Sequence, residues 1–514
     1  MERLLPILVA WPLACGFLVV ALAQVRGLHR LTGLISGLGL AGGLGMAVEL
    51  CRRVYELHAA GGQASFSFGL WSPAQAQLYA DGLSSLLLLI INFVGLAILI
   101  YSVAYMRRYT STWLFQSLFL VMVAAMNGLV LAGDLFTLYI FIETAALASY
   151  ALVAFGCEAE ELEASFRYLV MGVIASTFIL VGVALMYSLT GQLNMIQIAT
   201  VLARGKLASS PALLLAAGCL LAGLAIKAAM VPFHAWLSDA HPSAPAPISA
   251  MMSGVLIKTG GVYAIARIVF SVLGANASYA QVLMAMGGVS MVVGALLSLG
   301  QWDIKRMLAY SSISQMGYVM LALGAGAYAL SSGAGRDIAL LCLVGAFFHL
   351  FNHAAFKSLL FLASGSIEYA TGTRRLDQLG GLAQRMPVTG FCCRIGALSI
   401  AGIPPFNGFF SKLVIVIALV LAGLPALAVL AVAVAVLTLL IAVKLQRYAL
   451  DGQSSLQAQQ ARESPWPMGV GMVVLALVCI GGGLAFFPLR QYLFDPAGQA
   501  LLQAPLSQAA GALP

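Results

Sequence analysis

Runs of about twenty apolar residues recur along nearly the whole chain, and each is long enough to cross a bilayer as one helix. Few folds are open to such a sequence, because in hydrocarbon every backbone N–H and C=O needs a partner inside its own segment or inside protein. Counting the runs gives about fourteen spans, near 3–23, 31–50, 82–103, 113–132, 135–155, 164–188, 210–237, 244–270, 279–299, 304–325, 337–366, 388–420, 423–447 and 467–488. The expected fold is therefore an all-α polytopic membrane protein. Composition agrees: 61% of residues are hydrophobic and 9% charged, against about 25% charged in soluble domains. The first run is read as a span rather than a cleaved signal, because apolar sequence continues directly after it. The long early loop, 51–80, contains FSFGLW and is expected to form a short hairpin outside the bilayer.

The net charge of +8 does not point to nucleic acid, since the basic residues stand in ones and twos between apolar runs. They read as topology signals. Loops after odd-numbered helices carry Arg26, Arg30, Arg107, Arg108, Lys305, Arg306, Arg374, Arg375, Arg385, Lys444, Arg447 and Arg462, whereas those after even-numbered helices carry Arg52, Arg53, Arg204, Lys206 and Arg336. Twelve against five predicts odd loops in the cytoplasm and both termini outside, in the cytoplasmic (inner) membrane of a prokaryote. The eight cysteines form no CxxC and no Cys/His cluster. Neither a disulfide framework nor an iron–sulfur site is implied, and no metal or cofactor is expected in this chain.

Two spans are interrupted in a related way. The seventh contains MVPFHAW with Pro232, and the twelfth contains GIPPFNGFF with Pro404 and Pro405. Proline lacks the backbone donor and clashes with the preceding turn, so both helices are expected to open there. Paired interruptions in two halves point to an inverted-repeat transporter with sites near the midplane; ordinary proline kinks are the plain alternative.

Charged groups at membrane depth separate the two. Glu143 lies in LYIFIETAALASY, nine residues into a helix that opens after Asp134. Lys227 stands five residues before Pro232, next to backbone expected to unwind. Burial lowers a lysine's proton affinity and a nearby carboxylate raises it, so moving Glu143 relative to Lys227 would move a proton. Lys258 follows the Pro-rich HPSAPAPISA and lies about three turns into a helix starting near Pro247 or Ile248. His349, His353 and Lys357, in HLFNHAAFK, are spaced i, i+4, i+8 and line one helix face over roughly 12 Å. Imidazole titrates near neutrality and suits a relay; a zinc pair is the competing reading, weakened by the absence of an adjacent HE and by a lysine on the same face. Lys412 lies seven residues after Pro405 and completes the row. His234, His241 and Asp134 are accessory candidates.

A lysine at the centre of a membrane helix costs roughly 2.5–3.5 kcal/mol on insertion scales, so a row of such groups, dry and unpaired, would cost well over ~10 kcal/mol. They are expected to pair, hydrate and face the interior as a proton wire. Weaker signals are EAEELE (158–163), read as a solvated loop; GAGAYALSSGAG, read as a flexible exit from helix ten; and the Ser/Gln-rich face of DIKRMLAYSSISQMGY, read as a place for water.

The segments DLFTLYIFIE, KAAMVPFHAWLSDAHPSAPAPISA, DIKRMLAYSSISQMGY, HLFNHAAFKSLLFLASGSI and GIPPFNGFFSK, in this order between Asp134 and Lys412, resemble the antiporter-like subunits shared by respiratory complex I, membrane-bound hydrogenases and Mrp-type cation/proton antiporters. The resemblance implies two inverted five-helix repeats, helices 4–8 and 9–13, with helices 7 and 12 discontinuous. The implied divisions are 1–110, 111–270, 271–447 and 448–514. It also implies that Glu143, Lys227, Lys258, His349, His353, Lys357 and Lys412 match the family's proton-translocating positions. The chain ends about 25 residues after its last helix, without the long lateral arm of the most distal complex I subunit, and resembles a shorter member.

The expected function is proton translocation within a multi-subunit membrane complex, coupled to redox chemistry in partners that would carry any iron–sulfur, flavin or nickel centre. The alternative is a subunit of an Mrp-type Na+/H+ antiporter, with Na+ as a second ion. An autonomous solute carrier is a third reading, disfavoured because the charges lie in series rather than around one pocket.

Overall fold

The computed structural model describes residues 1–503 apart from 26, 63, 72–75, 206, 208, 209 and 454. Arg26 and Lys206, which read as topology signals, lie outside the described residues. Twelve helices among those described are long and apolar enough to cross a membrane. They are α1 (Leu4–Ala23), α2 (Thr32–Ala59), α3 (Gly82–Tyr105), α4 (Thr112–Leu131), α5 (Leu135–Val153), α6 (Ala159–Thr190), α8 (Ala246–Val272), α9 (Ala277–Gly300), α10 (Ile304–Ser331), α11 (Arg336–Thr371), α13 (Pro425–Leu445) and α14 (Trp466–Leu484). Two further spans are each built of two shorter helices, α7a (Pro211–Lys227) with α7b (Ala235–Ser243) and α12a (Pro387–Ala401) with α12b (Asn407–Leu421). The chain is thus an all-α polytopic membrane protein with fourteen spans, the seventh and twelfth broken at the prolines.

Three local expectations need correction. α2 continues to Ala59, so residues 51–59 are helix rather than loop; beyond them β1 (Phe66–Trp71) pairs antiparallel with β2 (Ala76–Ala80) in the expected hairpin. The acidic run 158–163 is not a loop: Glu160 and Glu161 form the first turn of α6, where negative charge complements the helix dipole. α10 runs on through GAGAYALS to Ser331. Its glycines are contact residues rather than breakers, since a Cβ at Gly317 or Gly324 would stand 2.6 Å or 2.8 Å from backbone atoms of α9. Small residues let membrane helices approach this closely.

One local arrangement occurs twice. Asp134 caps α5, accepting from the Thr137 amide at 2.7 Å, and the Leu135 amide donates to the Leu193 carbonyl (3.0 Å) in the loop after α6. Asp303 caps α10, accepting from the Arg306 amide at 2.9 Å, and the Ile304 amide donates to the Arg374 carbonyl (3.0 Å) in the loop after α11. α6 and α11 both end at a glycine of positive φ, Gly191 (69°) and Gly372 (71°). The first corner follows an even number of crossings and the second an odd number, so the two lie on opposite faces. The halves are related by inversion.

α8 and α10 run through the middle and are almost wholly buried, whereas α6 presents Phe166, Val173 and Phe178 outward, as lipid-facing helices do. Backbone of α8 is π-helical over Met252–Leu256, Lys258–Tyr263 and Arg267–Val272.

Candidate functional site

The first break places charge where the backbone opens. Lys227 is the last residue of α7a, at the negative end of that half-helix. Its Nζ lies 3.1 Å from Oε1 of Glu143 on α5, and the same oxygen accepts from the Ser176 hydroxyl on α6. The chain then turns through Ala229 at φ 51°, the Val231 amide donates to Ser290 Oγ (3.0 Å), and Trp236 of α7b donates back to the Ile226 carbonyl (3.1 Å). Beside Lys227 is a cavity of about 20 Å³ bounded by Tyr168, Trp236, Ile257 and Gly260, room for about one water. It leads from the ion pair towards α8.

Lys258 is buried on α8 and donates to the carbonyls of Ser253 (2.6 Å) and Gly254 on its own helix. The wider π-turn lets a side chain fold back on carbonyls four and five residues earlier. On α11, Lys357 donates to the Leu308 carbonyl (2.8 Å) and the Ser311 hydroxyl of α10. His349 Nδ1 is 3.0 Å from Ser411 Oγ of α12b, while its Nε2 and both nitrogens of His353 have no partner among the described residues. All three are fully buried. His349, His353 and Lys357 follow one another at i, i+4 and i+8 along α11, and Ser411 ties the first of them to the half-helix that carries Lys412.

The second break ends the row. Lys412, on α12b, donates to the Ile400 carbonyl of α12a at 2.7 Å, and its Nζ lies 5.3 Å from the Tyr318 ring centroid. A carbonyl in the last turn of a half-helix is left without an intrahelical donor, and the ammonium supplies one.

The accessory candidates divide. Asp134 accepts from the Thr137 and Gln77 amides (2.7 Å and 3.1 Å), tying α5 to the hairpin away from the row, and burial pushes its carboxyl above the usual range. His234 sits at the N-terminus of α7b. His241 is fully buried, and neither ring nitrogen has a partner among the described residues. Sequence reasoning misses Ser176 and Ser411, common residues given meaning only by what they touch. It also misses Asn352 and Asn407, joined through a 2.9 Å bond to the Asn407 carbonyl. Among the described residues no cluster of three or more His, Cys, Asp or Glu is placed to hold a metal.

The family profile described as "NADH:quinone oxidoreductase/Mrp antiporter, TM" matches residues 132–438, and that described as "NADH-Ubiquinone oxidoreductase (complex I), chain 5 N-terminus" matches residues 72–116. The chain belongs to this antiporter-like subunit family. A Na(+)/H(+) antiporter subunit of Alkalihalophilus pseudofirmus is 32% identical over 500 residues, 97% of each chain. A NADH-quinone oxidoreductase subunit of Desulforudis audaxviator is 38% identical over 359 residues, 69% of this chain and 68% of that one. Among solved structures, a chain of the Mrp complex from Dietzia sp. superposes with a TM-score of 0.88 at 28% identity, covering 100% of this chain and 99% of the other.

Proposed function

We propose that this chain moves protons through the membrane along Glu143, Lys227, Lys258, His349, His353, Lys357 and Lys412, as an antiporter-like subunit of a multi-subunit assembly. The observation that carries the reading is the Lys227–Glu143 pair, 3.1 Å apart at a helix break. A carboxylate at that distance raises the ammonium's hold on its proton, and withdrawing the carboxylate into the bundle or towards a neighbouring subunit lowers it. With Glu143 withdrawn, the proton leaves Lys227 through the small cavity towards Lys258. The histidines carry it on, since a neutral imidazole accepts at one nitrogen and donates from the other. Lys412 delivers it beside the second break.

The same reading divides the chain at 110, 270 and 447 and places both termini outside a prokaryotic cytoplasmic membrane. It assigns the driving force to partners, either redox subunits holding iron–sulfur, flavin or nickel or a coupled Na+ gradient. The match to the Na(+)/H(+) antiporter relative over nearly the full length of both chains favours the second driver as much as the quinone oxidoreductase relative favours the first. Lys227→Ala is expected to abolish proton movement in membrane vesicles while leaving the complex assembled; normal movement would sink the proposal. Iron, nickel and flavin per copy of the purified native complex decide between the drivers. Stoichiometric redox centres mean a redox-driven pump, and their absence together with Na+-dependent proton exchange means an antiporter.

A further inference from the structure

The row lies within the bundle, and the loops after odd-numbered spans meet at one face of it. A second cluster of charges lies between them. Lys305, at the start of α10, is buried to 2% of its side-chain surface; its Nζ is 3.0 Å from Glu368 Oε2 near the end of α11 and 3.1 Å from the Ala244 carbonyl. Glu368 Oε1 is in turn 3.5 Å from Arg374 Nη1, and Arg374 donates to Asp303 Oδ2 (2.6 Å) and to the Pro242 carbonyl (2.7 Å). Arg374, Asp303 and Pro242 line a surface-open pocket of about 260 Å³ whose other walls include Glu163, Arg167 and Asp239. One end of the cluster therefore meets water.

The other end meets His241. Lys305 and Arg374 grip the carbonyls of Ala244 and Pro242, residues of the turn that carries His241 into the interior. Its ring packs on Phe361 at 4.7 Å, one helical turn beyond Lys357 on α11. The charges of Lys357, Lys305 and Lys258 all reach it. A fully buried imidazole whose two nitrogens have no partner among the described residues leaves polar atoms unsatisfied in the core, which buried polar groups normally avoid.

We propose that Glu368 and Lys305 form an access site through which protons pass between this pocket and the buried row, with His241 as the carrier to Lys357 and Lys258. This rests on the proton-translocating reading above. In each passage the Lys305 ammonium gives one N–H proton to neutral His241. The neutral amine regains a proton from the Glu368 carboxyl, which has taken it from water in the pocket. Imidazolium then gives its other N–H proton to neutral Lys357 or Lys258. Charge and protons balance at every transfer. Arg374, bonded to both Glu368 and Asp303, fixes Glu368 between its two cations and positions it without carrying a proton.

The test uses the assembled native complex in sealed membrane vesicles, with a ΔpH-sensitive dye. Glu368→Gln and His241→Phe are each expected to slow proton movement by about a hundred-fold, and Glu368→Asp to recover most of it, which a merely structural role for the carboxylate would not predict. Complex assembly is followed by size in mild detergent; where Glu368→Gln fails to assemble, His241→Gln, which breaks no ion pair, carries the test. Wild-type movement in the assembled Gln and Phe variants, with Lys227→Ala inactive, overturns the access site alone. Wild-type movement in Lys227→Ala as well overturns the relay on which it rests.

Discussion

Both broken helices bring an ammonium to the C-terminal end of their first half, but the two are held by different things. Lys227 belongs to the half-helix it terminates, and its partner is Glu143, a side chain on another helix. Lys412 belongs to the second half-helix and reaches back across the break to the Ile400 carbonyl. Glu143 stands nine residues after the capping Asp134, and the residue nine after the capping Asp303 is Ser312, whose hydroxyl bonds Ser253 and the Leu308 carbonyl. The inverted halves thus share a frame and differ in charge. A side-chain carboxylate can leave its lysine; a backbone carbonyl cannot. In the proposed relay, the first half is therefore the one a neighbouring subunit can switch, and the second is a fixed station whose proton follows its surroundings.

The largest effect should come from removing that asymmetry. Glu143→Gln is expected to slow proton movement about as much as loss of a positioned proton-transfer group does, on the order of a hundred-fold. Ser312→Ala, which removes only a hydroxyl pair, should cost far less. Vesicle assays on both variants compare the halves directly. Equal impairment would show that the carboxylate is not what distinguishes them.

Stability offers an intermediate effect. Lys227→Met leaves Glu143 without its cation; breaking a fully buried pair costs about 3–5 kcal/mol. Glu143 is 24% exposed in its side chain, and with solvent screening about 1–2 kcal/mol is expected here. Lys412→Met removes a desolvated charge and frees one carbonyl at a helix end, two changes of opposite sign. Thermal unfolding midpoints of the purified complexes should fall for the first and hold for the second. A matching fall would mean that the carbonyl holds Lys412 as firmly as the carboxylate holds Lys227.

How far these features are legible in the sequence follows from what each depends on. The fourteen spans and both breaks are readable because hydrophobic length and proline act locally. Lys227, Lys258, Lys357 and Lys412 are readable because a charge in hydrocarbon is anomalous wherever it points. Lys305 reads as a topology signal because it lies at the end of an apolar run; only the fold shows it turned inward onto Glu368 and buried. Asp134 is only an accessory candidate in the sequence, and the fold shows it capping a helix and tying a loop. The acidic start of α6 and the glycines of α10 are legible only as composition, and each means something else once a helix N-terminus or a close helix neighbour is known.

The smallest effect lies in the backbone of the two breaks. The first turns at Ala229 (φ 51°) and the second at Gly402 (φ 81°). A left-handed conformation costs an L-residue about 1–2 kcal/mol. Ala229→Gly relieves that strain but deletes a buried methyl worth about 0.8 kcal/mol and frees the unfolded chain. The midpoint should therefore barely move. Gly402→Ala adds the strain, offset only in part by a less free unfolded chain, and its Cβ would stand 3.2 Å from Lys412 Cδ. It is expected to cost about 1 kcal/mol and to slow proton movement modestly by shifting Lys412 from the Ile400 carbonyl. If Gly402→Ala proves as silent as Ala229→Gly, Lys412 is not a fixed station. The contrast between a switchable first half and a rigid second half would then rest on Glu143 alone.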